Sequence, residues 1–223
     1  MESAPAVASS ARVPRRVWSS AGLLLLGRVW GSGCTLAILW LLSRDWALSG
    51  ADFGRFTFWL AVFAVLDTLA EFGTGQVAVQ RTAAAPARLA AVLAGARRIR
   101  LIMGSLGVVL VAVTTLLARE PDGWWLVLAA LYPVTHVLEL SATVFRNSIS
   151  WRVPVAMRAF ASGLSLAFVL AALYAGIRRP GLFVLAVAAG SATANFALHA
   201  AARRHLPTEP AVPATREGSR ATL

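Results

Sequence analysis

The chain has 223 residues, of which 58% are hydrophobic and only 14% charged, with a formal charge of +11. A mean hydropathy of +0.68 excludes an ordinary soluble domain and is that of a polytopic membrane protein. The basic excess is carried entirely by arginine, scattered between apolar runs rather than gathered on one face, which argues against a nucleic-acid partner.

A membrane-spanning helix needs about 20 mostly apolar residues. Six stretches qualify in chain order: Val17–Leu42, Phe56–Gln80, Ile99–Ala118, Trp124–Phe145, Val155–Gly176 and Gly181–Ala201. The expected fold class is therefore all-α, a bundle of six transmembrane helices in the lipid bilayer. The expected divisions are an N-terminal segment 1–16, a transmembrane domain 17–203 and a disordered tail 204–223 rich in Pro, Thr and Ala. The first stretch follows Arg12, Arg15 and Arg16. It is too long for a signal-peptide core and is followed by no A-x-A site, so it reads as a retained span.

Arginine placement sets the expected orientation. With the N-terminus inside, the outer turns carry Arg44, Arg55, Arg119, Arg178 and Arg179, and apart from the mid-span Arg28 all the others fall inside. Trp40, Trp46, Trp124 and Trp125 then lie near the outer interface and Trp18 and Trp151 near the inner one, as an aromatic belt requires. The expectation is a multi-pass protein of the cytoplasmic membrane, N-in and C-in.

Short outer turns imply that spans 1–2, 3–4 and 5–6 form tight hairpins. Between spans 2 and 3, Leu89, Val92, Leu93 and Ala96 recur at helical spacing with Arg88, Arg97 and Arg100 around them. This segment is either an interfacial amphipathic helix or an inward extension of the third span.

Charged side chains at membrane depth are costly and face a bundle interior or a wet cavity. Asp67 and Glu71 sit one turn apart in span 2. Carrying that helix on to Gln80 places Asp67 about 16 Å from its outer end, near mid-membrane, with Glu71 a turn deeper. Arg28 in span 1 reaches the same depth, which predicts an ion pair across the first hairpin: a static staple, a charged cavity lining, or both. Span 4 adds His136 and Glu139 after a kink at Pro133, and span 6 adds Asn195 and His199. The H-x-x-E pair lacks evident further ligands, so no metal is expected. Arg158 reads as snorkelling inward. Gly104, Gly107, Gly190 and Ser191 suit close helix packing. The lone Cys34 builds no disulfide framework. With no G-x-S-x-G elbow, Gly-rich nucleotide loop or acidic metal-binding cluster, neither an enzyme nor a cofactor is expected.

The stretch from Leu41 to Ala83, LLSRDWALSGADFGRFTFWLAVFAVLDTLAEFGTGQVAVQRTA, resembles the start of the polysaccharide and lipid-linked oligosaccharide flippases (Wzx-type, in the multidrug/oligosaccharidyl-lipid/polysaccharide exporter superfamily). An aromatic–Gly–x–aromatic step, here Phe53-Gly54-Arg55-Phe56, is followed by a helix closing on an acid, an aromatic and Gly, here Glu71-Phe72-Gly73, with Arg81 beyond. Glu71 stands where Asp is more usual in that family. The six-helix layout resembles the family's first lobe over residues 15–205. The resemblance implies transport of a lipid-linked sugar, with Arg28, Asp67, Glu71, His136, Glu139 and Asn195 as cavity-lining candidates. Such flippases have two lobes related by an axis along the membrane normal. The implied partner is therefore a second copy or a separate second half. The alternative is a non-catalytic assembly subunit or truncated remnant in a polysaccharide biosynthesis system.

Overall fold

The computed structural model describes residues 12–71, 73–83, 89–147 and 151–204. Among these, all regular structure is helical: α1 (Arg12–Leu42), α2 (Gly50–Glu71), α3 (Thr74–Ala83), α4 (Leu89–Leu117), α5 (Gly123–Ala129), α6 (Tyr132–Glu139), a 3-10 turn (Leu140–Ala142), α7 (Thr143–Asn147), α8 (Arg152–Tyr174) and α9 (Pro180–Arg203). Six runs are long and apolar enough to cross a membrane, with α2–α3 and α5–α7 each counting as one broken span. The protein is an all-α polytopic membrane bundle. The expected tail and the Arg88 segment lie outside the described residues, and the expected boundary at residue 16 falls inside α1.

Two spans break where the backbone demands it. The second does not run unbroken to Gln80: α2 stops at Glu71, and Gly73 takes φ +65° before α3 begins. That left-handed conformation suits glycine and ends a helix. Thr74 starts the next one and donates its hydroxyl to the Glu71 carbonyl at 2.7 Å. The fourth span breaks after Ala129, and Pro133 lies in the first turn of α6, where its missing N–H costs nothing. The helix is thus interrupted just before Pro133, where a kink is expected. Leu89 onward joins the third span as one continuous 29-residue helix, α4, so the extension reading holds over the interfacial one.

α9 is the central helix, packed on α8, α6, α5 and α2. Its closest neighbour is α8: Gly190 lies against the Ser165 main chain, and an added Cβ would stand 2.6 Å from Ser165 N. Gly104 meets Val134 of α6 in the same way, with a Cβ 3.0 Å from its Cα. Small residues thus sit where helices approach most closely. The third–fourth and fifth–sixth spans pack as hairpins, but α1 lies along α8 rather than along α2.

Packing is uneven along the bundle axis. An apolar core of Leu42, Phe56, Trp59, Val111, Leu126, Val169 and Phe183 joins the C-terminal ends of α1, α4 and α8 to the N-terminal ends of α2 and α9. Among membrane helices such side chains hold together through close van der Waals packing rather than through removal from water. The opposite half holds the polar groups and a cavity.

Candidate functional site

α4 carries Leu89, Leu93, Arg100, Gly104, Gly107 and Val111 on one buried stripe, spaced at three, four or seven residues. Arg100 therefore points inward, with only 2% of its side chain exposed. Its Nε donates to Thr74 Oγ1 and its Nη1 to the His136 carbonyl, both at 2.7 Å. Nη1 also lies 3.6 Å from Glu139 Oε2, and Nη2 lies 3.9 Å from Glu71 Oε1. One guanidinium thus ties α3, α4 and α6 together and holds the acid at the end of α2.

His136 sits between two acids. Its Nδ1 meets Glu139 Oε2 at 2.9 Å, and its Nε2 meets Asp67 Oδ1 in a 2.5 Å ionic contact that is off the line of a hydrogen bond. Tyr132 caps the ring edge-on at 4.8 Å between centroids. Glu139 turns its other oxygen, Oε1, to Arg158 Nη2 at 3.7 Å.

The two carboxylates contact opposite nitrogens of the ring, so the imidazole stands between them. Asp67, His136 and Glu139 are therefore not disposed to share one metal ion. Among the described residues no group of three His, Cys, Asp or Glu side chains is.

Beside this cluster lies a cavity of about 670 Å³. α1 contributes Leu24, Arg28, Ser32 and Thr35; α6 contributes Tyr132, His136 and Glu139; α8 contributes Met157 and Arg158, with Trp151 just before it; and α9 contributes Ser191 and Asn195. Asn195 Nδ2 donates to Thr135 Oγ1 at 3.0 Å, which fixes the amide against α6. A second polar node lies towards the end of α9, where Ser141 Oγ meets His199 Nδ1 at 2.7 Å and Arg97 Nη2 at 3.5 Å.

Of the six expected site residues, Arg28, His136, Glu139 and Asn195 line the cavity, while Asp67 and Glu71 do not. The expected pairing of Arg28 with Asp67 and Glu71 is replaced by others. Asp67 pairs with His136 and Glu71 with Arg100. Arg28 is exposed and makes no ion pair among the described residues. The cause is the docking of α1 on α8, which turns Arg28 towards the cavity while Asp67 lies beyond His136. Arg100, Arg158, Tyr132 and Thr74 were not expected here. The signal for Arg100 was its register: it continues the apolar stripe of Leu89, Leu93 and Ala96 instead of flanking it.

No known protein family matches the chain, and neither a curated protein nor a solved structure matches it.

Proposed function

We propose that this chain is a membrane transport protein, one lobe of a flippase for a lipid-linked sugar in the cytoplasmic membrane, and that its cavity receives the phosphate of that lipid. The reading rests on one observation: two exposed guanidinium groups, Arg28 and Arg158, share a largely apolar cavity. Apolar walls with a few fixed polar groups suit an amphiphile, and guanidinium is the side chain best matched to phosphate oxygens. The volume, about 670 Å³, accommodates a phosphorylated headgroup but not a polyprenyl chain as well. The lipid tail and the remaining wall would come from the bilayer and from a second lobe, either another copy of this chain or a separate subunit.

The probe for this reading is geranyl phosphoryl-glucose, a short isoprenyl phosphodiester, titrated into the detergent-solubilised protein by calorimetry. A charge-assisted hydrogen bond contributes about 1.5–3 kcal/mol, so Arg28→Leu and Arg158→Leu should each weaken binding at least ~10-fold. Absence of binding to the unaltered protein, or equal binding by the double variant, would overturn it. One observation favours the alternative of a non-catalytic assembly subunit: most of the buried charge is turned on itself, as in a structural staple. That subunit would show no binding while folding normally.

A further inference from the structure

We propose that Arg97, His199 and Arg203 form a seat for the phosphate of an anionic bilayer lipid, at the end of the bundle away from its apolar core and separate from the cavity. None of the three lines the cavity. Arg97 belongs to α4, and His199 and Arg203 stand one turn apart on the same side of α9. The 3-10 turn Leu140–Ala142 brings the charges of the two helices together, because it packs on both α4 and α9. Its fully buried Ser141 places Oγ 2.7 Å from His199 Nδ1 and 3.5 Å from Arg97 Nη2. Arg97 and His199 are thus half-buried and converge on one hydroxyl. An arginine that only biases topology needs no such anchor.

These cations lack a carboxylate to answer them. Among the described residues the acids of this half are Asp67, Glu71 and Glu139, and they hold His136, Arg100 and Arg158. Asp45, Asp52, Glu120 and Asp122 stand at the other end, in the turns after α1 and α4 and the first turn of α2. Arg97, His199 and Arg203 accordingly make no ion pair among the described residues. A convergent set of unopposed cations draws an anion.

Depth decides which kind of anion. At a rise of about 1.5 Å per residue, Arg97 is ~30 Å from the Leu117 end of α4 and His199 ~28 Å from the Pro180 end of α9. The hydrocarbon layer is about 30 Å thick, so the cations stand at headgroup level, where lipid phosphates are. One turn further into the bilayer each helix presents an exposed apolar side chain, Leu101 beyond Arg97 on α4 and Phe196 before His199 on α9. Cations at the headgroups with apolar surface beneath them match a lipid rather than a soluble anion. Basic pockets between membrane helices bind acidic headgroups in this way.

Native mass spectrometry of the protein in dodecyl maltoside, titrated with phosphatidylglycerol, counts and ranks the bound lipid. One phosphatidylglycerol should be held at least ~10-fold more tightly than phosphatidylcholine, and an equal concentration of inorganic phosphate should not displace it. A hydrogen bond to a charged group changes affinity about tenfold or more, so Arg97→Gln with Arg203→Gln should weaken retention at least ~30-fold. The control is Arg98→Gln with Arg204→Gln, which removes the same charge from exposed neighbours at the same end. Screened surface charges of that kind should change retention less than ~5-fold. The cavity has guanidinium groups of its own, so the titration is repeated on Arg28→Leu with Arg158→Leu, where retention should persist. Should Arg97→Gln fail to fold, Arg203→Gln is compared with Arg204→Gln alone, both at exposed side chains. Equal weakening by the two arginine pairs would reduce the effect to surface electrostatics. Equal retention of phosphatidylcholine, or displacement by phosphate, would remove the anionic lipid, and loss in the cavity variant would assign that lipid to the cavity. Each of these outcomes overturns the proposal.

Discussion

Replacing Arg100 by leucine removes the group on which α3, α4 and α6 converge. The side chain is 2% exposed, and its two 2.7 Å hydrogen bonds go to Thr74 Oγ1 and the His136 carbonyl. Bonds to a charged donor contribute about 1.5–3 kcal/mol each. The ion contacts add less, because Glu71 is 49% exposed and the Glu71 and Glu139 distances are 3.9 and 3.6 Å. Leucine recovers part of the loss through apolar burial and relief from desolvating a guanidinium. It also takes from Glu71 and Glu139 their contacts with the guanidinium. The expected loss is about 3–4 kcal/mol, within the range for breaking a buried pair by removing one partner. Reversible unfolding in mixed micelles measures it, alongside Thr74→Val and the double variant. Because the two residues touch, their effects should be non-additive by about 1–2 kcal/mol. A loss below ~1 kcal/mol for Arg100→Leu, or additivity within a few tenths, would refute the reasoning.

Gly190→Ala should destabilise by about 1–3 kcal/mol in thermal unfolding, since its Cβ would meet the Ser165 main chain at 2.6 and 2.8 Å. Gly163→Ala, 3.8 Å from the Trp30 ring, should be silent in the same assay. Gly73→Ala should cost about 1–2 kcal/mol from its φ of +65° alone, because no neighbour lies within 4 Å; asparagine there should cost less. Reporter fusions after Ala118 and Gly176 should read as external and those after Ala83 and Arg204 as internal, and a C-terminus read as external would exclude parallel pairing of lobes. Cross-linking of the protein co-expressed with its gene neighbours should trap a dimer or a two-subunit complex; a strictly monomeric particle that moves substrate would rule the two-lobe proposal out.

The number of spans was legible because membrane helices are set by length and hydropathy, but two starts were not: α2 begins at Gly50 rather than Phe56 and α4 at Leu89 rather than Ile99. The Pro133 break was legible for a similar local reason: a residue without an N–H disrupts a helix wherever it falls. Gly73 carried an equally local signal, but it was outweighed by the demand for a span of full length. A break does not require the span to end, since irregular backbone at membrane depth is tolerated where protein covers it. Here Arg100 supplies that cover, bonding to Thr74 immediately beyond the break.

The site was half legible, and the missing half has one cause. Counting residues along a helix gives depth, and that count put Arg28, Asp67 and Glu71 at one level. It does not give the direction in which each helix turns its charges, nor which helices are neighbours in the bundle. Those depend on packing surfaces such as Gly27 and Gly31 of α1, whose Cβ positions would lie 2.7 Å from Val155 and 3.3 Å from Ser162 of α8. These small residues admit α8, and α1 therefore docks there instead of on α2. Arg28 is carried to the cavity as a consequence, and Asp67 is left to find His136 on α6. The same docking separates the two roles that charges can play at depth. Asp67, Glu71 and Arg100 are committed to holding broken helices together, whereas Arg28 and Arg158 remain on a surface that a ligand can reach. His136 and Glu139 belong to both groups: each lines the cavity and each holds a partner within the cluster.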